Sequence, residues 1–361
     1  MKPKMLTALC KKSLTALRKA RLKTGLYVKA SLPEYDFDHL QRIWPYVKPN
    51  CVSEDFHRLT GEGVDLSICI PMYNVEAFIE PLLDVLDRQQ TEYTFEVILV
   101  DDGSKDKTAE IVKRFIAGKP NFVLIQQKNG GISVARNTAI DHAHGEYISF
   151  VDSDDLVSND FIQSLMSAAK ENQADIVKGK YCIRRGESIV PMGLSTGFFW
   201  GGVYRASLFD KVRFPVGYWY EDMIQLFLIV PQAKTTIPID NVTLYYNDTE
   251  GSASKLQARA RNPKSLEQLY LVMSLTEDYK KLQLTNRAWL SERLVAECSK
   301  LMVRRTEGLD ELTRKQVFLA CHKLFCDEQV DPTQFSGVPR LFAEAIVKKD
   351  YAAWKLAAKL S

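Results

Sequence analysis

The chain has 361 residues, 46% hydrophobic and 26% charged, ordinary globular usage that excludes a disordered, collagen-like or disulfide-stapled polypeptide. A formal charge of +3 is too near neutral for a dedicated nucleic-acid binder. The charge is uneven, however: residues 1–30 hold nine Lys/Arg and no Asp/Glu, leaving a net −6 on the remainder.

That basic leader comes first in the chain. At helical spacing Met5, Leu6, Leu9, Cys10, Leu14, Leu17 and Ala20 share one side, and Lys11, Lys12, Arg18 and Lys19 lie opposite. This is the pattern of an interfacial helix drawn to an anionic membrane surface, and equally that of a helix packed on its own protein. A transit peptide is a third, weaker fit. The lysines and arginines interrupt every apolar run, so no secretory core forms, and no stretch reaches the ~18–20 apolar residues of a membrane span. The seven cysteines are scattered without a C-x-x-C pair, which argues against structural zinc and fits a reducing, cytoplasmic setting. Cys321, His322 and Cys326 read as core residues of a helix rather than ligands.

A connector with Pro33, Trp44, Pro45 and Pro49 follows. From Val64 to Tyr246 short apolar runs alternate with amphipathic segments. Leu66–Ile70, Phe95–Val100, Phe122–Ile125 and Tyr147–Val151 read as buried strands, with helices near 76–89, 106–117 and 131–143. That alternation predicts a mostly parallel sheet covered by helices. Beyond Asn262 leucines recur at helical spacing, with Pro263, Pro332 and Pro339 at expected helix starts.

In such a sheet, ligands bind beyond the carboxyl ends of the strands. The first strand runs into Pro71-Met72-Tyr73-Asn74, the second ends in Asp101-Asp102-Gly103-Ser104, and the fourth ends in Asp152-Ser153-Asp154-Asp155. One such cluster reads as helix caps and turns. Two on one rim repel each other unless a cation joins them, and Asp152 and Asp154 suit a hard divalent ion that also grips phosphates. No P-loop and no G-x-G-x-x-G is present, so phosphate must be held by metal and side chains. Asn129-Gly130-Gly131 precedes a helix carrying Arg136, whose guanidinium suits either a phosphate or a rim aspartate.

Five segments together resemble family 2 glycosyltransferases of the GT-A fold: Ser67–Asn74, Val100–Ser104, Asn129–Asn137, Phe150–Asp155, and a later stretch containing Gly202–Arg205, Arg213–Pro215 and Tyr220–Asp222. The resemblance covers about residues 64–254. It implies a GT-A (Rossmann-like), mostly parallel sheet flanked by helices, with the basic N-terminal helix and an α-helical C-terminal appendage outside it. The division it suggests is 1–62 for helix and connector, 63–254 for the catalytic domain and 255–361 for the helical region. It implies an inverting, metal-dependent hexosyltransferase that moves a sugar from an NDP-sugar, UDP-linked above others, to a glycan or lipid-linked saccharide. The expected setting is cell-surface polysaccharide synthesis at the cytoplasmic face of a membrane. Nucleotide-sugar contacts fall to Pro71, Tyr73, Asn74, Asp101, Asp102, Arg136, Asp152 and Ser153, and Mn²⁺ or Mg²⁺ to Asp154. The general base is Asp222, with Glu221, Trp219 and Tyr220 on the acceptor side.

Asp222 also reads as an acidic residue at the start of a helix over Met223–Val230. Phe198, Phe199 and Trp200 suit either sugar stacking or a core wall. One departure from the family stands out: Asn247-Asp248 follow Tyr245-Tyr246 where a basic residue is common, with Lys255 a substitute. Two alternatives remain. A sugar-nucleotide pyrophosphorylase should carry a Gly-rich basic loop after strand one, where Met72-Tyr73-Asn74-Val75 stand instead. A non-catalytic carbohydrate- or membrane-binding module on a degenerate transferase fold would not need the intact Asp102, Asp154 and Asp222 set.

Overall fold

The computed structural model describes residues 29–58, 61, 63–248 and 262–360, together with residues 15, 20, 21 and 25. The basic-leader helix therefore lies outside the described residues almost entirely, as do Gly251, Ser252, Ser254 and Lys255. The chain forms two compact units: Pro49–Ser252 with Asp278–Leu284, and Met1–Lys48 with Ala253–Glu277 and Thr285–Ser361.

The first unit is built on one sheet. Strands β1 (Leu66–Met72), β2 (Phe95–Asp101), β3 (Phe122–Gln126) and β4 (Tyr147–Phe150) pair in parallel in the order β3-β2-β1-β4. All seven residues of β1 are buried, because helices cover the parallel strands on both faces. After α1 (Phe37–Ile43), which precedes this unit in the chain, helix α2 (Ile79–Asp87) buries Ile79, Leu82, Leu83 and Leu86, spaced three and four apart as one apolar stripe demands. They join Ile68, Ile70, Val97, Leu99 and Val112, the last from α3 (Thr108–Ile116), in a continuous core. The third covering helix is α4 (Ile132–Asp141). Gly145 enters β4 so closely under β1 that a Cβ there would lie 2.5 Å from the Ser67 nitrogen, so no larger residue fits.

The other half of the sheet is mixed. Beyond β5 (Leu156–Val157) and α5 (Phe161–Glu171), β6 (Ile176–Arg185) pairs antiparallel with β7 (Ser188–Leu194) and β8 (Gly202–Arg205), and parallel with β9 (Thr236–Asn247). Strand β8 runs antiparallel to β4, and β5 antiparallel to β9. The expectation of a mostly parallel sheet thus describes its first half. Between β8 and β9 the chain takes a π-helical turn at Gln225–Ile229 rather than a uniform α-helix, a distortion common near functional sites.

The second unit joins the described residues up to Lys48 to the C-terminal helices α6 (Glu267–Lys281), α7 (Arg287–Lys300), α8 (Glu311–Asp327), α9 (Gly337–Val347) and α10 (Tyr351–Ala358). Trp44 Nε1 donates to Glu267 at 3.1 Å, and the Tyr270 hydroxyl donates back to the Trp44 carbonyl at 2.9 Å. Gln316 holds the Asp36 nitrogen and the Glu34 carbonyl. The later part of the connector belongs to the sheet unit, where Val52 bridges Val212 and Arg213 donates its backbone N–H to Cys51.

Candidate active site

The expected rim lies at the carboxyl ends of β1, β2 and β4. Pro71 is buried beside Val100, while Tyr73 and Asn74 open into solvent. Asn74 adopts φ +53°, and its Oδ1 accepts the Lys105 N–H at 2.8 Å. Asp101 closes the turn after β2 by accepting the Ser104 N–H at 3.0 Å and the Gln126 amide at 3.1 Å. Asp102 is buried and accepts three bonds: Gly130 N at 2.9 Å, Gly131 N at 2.7 Å and Gln127 Nε2 at 2.8 Å. Gly131 needs its φ of +89° to present that N–H and then start α4. The carboxylate expected to read a base therefore also fixes the glycine turn that aims α4.

Arg136, one turn into α4, is 2% exposed. Its Nη2 donates to Asp152 at 2.9 Å, and its Nη1 donates to Asp222 at 3.0 Å and Glu221 at 3.2 Å. The ring of Phe214 backs the guanidinium at 5.2 Å. One cation thus ties the acidic loop after β4 to the carboxylate pair before the π-turn, and its fork faces protein carboxylates. Burial works against its charge, but Asp222, Asp152 and Glu221 outweigh that and hold it protonated.

Three carboxylates exceed one guanidinium, and the excess charge appears as raised pKa values. Burial, then the neighbouring Asp222, pushes Glu221 up to about 8 against the pull of Arg136. Burial also raises Asp222, again opposed by Arg136. The Asp222 side chain keeps 33% of its surface open, against 13% for Glu221. Asp154 is raised by burial and by Asp152, and Asp155 by the same causes to about 9.

Among the described residues no group of three His, Cys, Asp or Glu side chains forms a ready-made metal cage. The acidic loop nevertheless fits a hard divalent ion. Asp154 and Asp155 are held above the usual carboxylate range by desolvation and by the charge of Asp152, and the buried Asp155 Oδ2 has no partner. Mg²⁺-like ions take one or two carboxylates, waters and substrate phosphates rather than a full protein cage. Ser153, between Asp152 and Asp154 in the chain, is buried. Asn247, standing where a basic residue is common, donates its N–H to Asp155 Oδ1 at 2.8 Å and its side-chain amide to the Asp154 carbonyl, bracing the loop.

The aromatic cluster divides. Phe199 is core, packed against Phe150, Phe209 and Phe214, whereas Phe198 is 40% exposed. Trp219 and Tyr220 are half-buried in the loop that delivers Glu221. Sequence reasoning passed over Lys178, Tyr204 and Gln225, a buried polar network joining Phe198 to the helical turn of Asp222. A lysine beside Ile176-Val177 in an otherwise apolar strand start was the available signal.

An acidic loop at the carboxyl end of a parallel half-sheet, cross-tied by an arginine to a carboxylate after an antiparallel strand, defines a GT-A-type fold. In overall structure the chain is similar to Staphylococcus aureus TarS 1-349 in complex with UDP-GlcNAc, with a TM-score of 0.63 and 21% identity over 82% of this chain and 90% of that one. The family model for glycosyl transferase family 2 matches residues 67–217. The uncharacterized glycosyltransferase EpsJ of Bacillus subtilis is 49% identical over 112 residues, 31% of this chain and 32% of EpsJ. The poly(ribitol-phosphate) beta-N-acetylglucosaminyltransferase TarP of S. aureus is 30% identical over 152 residues, 41% of this chain and 45% of TarP. The chain thus spans from a third to less than half of these two relatives.

Proposed function

We propose that this chain is an inverting, metal-dependent glycosyltransferase that moves a sugar from a UDP-sugar to a hydroxyl of a glycan or lipid-linked saccharide. The observation that carries the reading is the single guanidinium of Arg136 shared by Asp152 and Asp222, which sets a donor-side and an acceptor-side carboxylate on one buried anchor. A UDP donor is favoured by the UDP-GlcNAc bound to TarS, and a surface polymer as acceptor by the name of TarP.

Pro71, Tyr73, Asn74, Asp101 and Asp102 line the nucleotide end, and Asp152 and Ser153 the ribose and diphosphate. Mn²⁺ or Mg²⁺ held by Asp154 would offset the charge growing on the departing diphosphate. Asp222 accepts the proton of the acceptor hydroxyl as its oxygen bonds to the anomeric carbon and the bond to the diphosphate breaks. Such a base contributes ~10²–10⁴-fold. Attack opposite the leaving group inverts the anomeric centre. Arg136 opposes the rise that burial imposes on the Asp222 pKa and aims its carboxylate, and Glu221 beside it borders the acceptor side with Trp219 and Tyr220.

Among the described residues no helix is long and apolar enough to cross a membrane. We infer a cytoplasmic-face location in which the basic residues 1–30 meet an anionic surface. Vesicle sedimentation before and after deleting 1–30 tests it: equal binding would overturn that part.

The deciding experiment for the chemistry is D222N. Retained UDP-sugar binding with transfer reduced at least ~100-fold supports the base assignment, and transfer within a few-fold of wild type removes it.

A further inference from the structure

Lys178 is the buried charge that the mechanism above does not use. It is buried at the start of β6, and among the described residues no carboxylate lies within ion-pair distance of it. Its Nζ instead donates to the carbonyls of Phe198 at 2.8 Å and Trp200 at 2.7 Å, and to the Tyr204 hydroxyl at 3.0 Å, with the Tyr204 ring 5.2 Å away. Gln225 grips the same two groups, donating to the Phe198 carbonyl at 2.7 Å and the Tyr204 hydroxyl at 2.6 Å. Gln225 is one helical turn past Asp222 and donates its N–H to the Asp222 carbonyl at 3.0 Å. The Phe198 carbonyl is thus two hydrogen-bonded steps from the backbone of the base.

The segment holding Phe198 is clamped along its length. Ser195 Oγ bonds the Gly179 and Gly201 carbonyls, Thr243 Oγ1 bonds Gly201, and Trp200 bridges Phe150 in the sheet. A Cβ on Gly202 would strike the Lys178 stem at 2.6 Å, so the lysine is seated in a slot that only glycine leaves open. On this rigid base Phe198 lies flat against Trp200, with centroids 4.6 Å apart and planes 9° apart, and Trp200 faces Tyr246 at 6.1 Å. Tyr246 precedes Asn247, the residue bracing the Asp154–Asp155 loop. Phe198 is the exposed end of this stack, tied through its carbonyl and Gln225 to the helical turn of Asp222, and linked through Tyr246 and Asn247 to the acidic loop.

Burying an ammonium among carbonyls carries a desolvation cost that an apolar side chain would avoid. Burial accordingly pulls the Lys178 pKa down to about 7, and the charge of Asp222 opposes that fall. An exposed aromatic face on a backbone this tightly fixed suits the C–H face of a pyranose, and a nearby base needs its acceptor hydroxyl placed to within tenths of an ångström.

We propose that Phe198 is the stacking surface for the acceptor saccharide and that Lys178 is the positioning residue that fixes it relative to Asp222. The inference rests on the transferase reading. It assigns the sugar ring next to the reacting hydroxyl to Phe198, and gives Lys178 no contact with substrate.

The test compares wild type, F198A, F198Y and K178M with UDP-GlcNAc and UDP-glucose as donors and p-nitrophenyl β-glycosides as acceptor probes. Two rates are followed: transfer to the glycoside, and hydrolysis of the donor without acceptor. F198A is expected to raise the acceptor KM about 3–10-fold and to lower the transfer-to-hydrolysis ratio by a similar factor, with F198Y restoring both. K178M is expected to move the ratio in the same direction. A ratio unchanged in F198A, because both rates stay or fall together, overturns the platform. An unchanged acceptor KM in a folded K178M overturns the part given to Lys178, and the Phe198 variants decide the platform even if K178M does not fold. A wild-type protein that neither hydrolyses nor transfers any donor overturns the transferase reading, and the platform with it.

Discussion

Arg136 Nη1 stands 3.0 Å from Asp222 Oδ1, and these two residues, 86 apart in sequence, meet in a pocket where the arginine is almost wholly enclosed. The same fork reaches Asp152 and Glu221. Removing it leaves three carboxylates facing each other without the cation that hydrogen-bonds all three. R136M should therefore lose about 3–5 kcal/mol of stability as well as transfer activity. R136K keeps the charge but loses the planar fork, so it should recover part of the stability and little of the activity. Thermal denaturation beside transfer assays checks both, and an R136M as stable as wild type would remove the anchor role.

Asp102 makes a different kind of contact, accepting the N–H groups of Gly130 and Gly131 and the amide of Gln127. In D102N one oxygen becomes an NH₂ that must face a backbone donor. The expected cost is ~1–3 kcal/mol of stability, because a buried donor is left unmade. UDP-sugar affinity should fall with it, since the turn ahead of α4 loosens. D102E keeps the charge but not the reach and should fall between. Melting temperature and donor titration measure the pair; an unaltered melting temperature in D102N would mean the loop does not depend on this carboxylate.

The strands of the parallel half were legible because strands buried on both faces are unbroken apolar runs, and Leu66–Met72, Phe95–Asp101 and Phe122–Gln126 end within two residues of where those runs stop. The mixed half was not, since β7 is exposed along most of its length and β9 carries alternating, weak patterning. The acidic rim could be read from strand ends alone. The direction of Arg136 could not: its partners lie 16, 85 and 86 residues away, and local spacing carries no information about which of them a guanidinium will choose. The opposite fates of Phe198 and Phe199 follow from the turn between Ser195 and Trp200, which no periodicity announces. Lys178 stood in plain sight as a charge in a strand, yet its role depends on carbonyls 20 and 22 positions on.

The acidic loop predicts a metal-linked donor. With Mn²⁺ present, UDP-GlcNAc at ~100 times its Kd should stabilise the protein by about 2.7 kcal/mol, and a chelator should erase most of that gain. In D154N the donor-induced shift should no longer respond to Mn²⁺. N247A, which removes the side-chain amide from the Asp154 carbonyl and leaves the backbone N–H on Asp155, should weaken the Mn²⁺ dependence without abolishing it. A donor shift of equal size with and without Mn²⁺ in the wild type would rule out the ion.

Glu221 makes stability depend on pH in a direction unusual for a carboxylate beside an arginine. Burial and Asp222 outweigh Arg136 and raise its pKa from 4.5 to about 8. Between those two values the folded state holds a proton that the unfolded chain has released, so stability falls as pH rises through that window. Below about 4.5 both states are protonated and the effect vanishes; above about 8 the loss is complete. E221Q keeps the Oε1 that accepts from Arg136 and cannot ionise. Its stability relative to wild type should be near zero difference at the acid end and should grow by a few kcal/mol towards pH 9. Denaturant titrations of both proteins at half-unit pH steps give the difference directly. A difference that is flat with pH would mean that Arg136 cancels the effect of burial, so that Glu221 titrates in the folded protein where it does in the unfolded chain, and the site would then carry one more negative charge at neutral pH than the raised pKa allows.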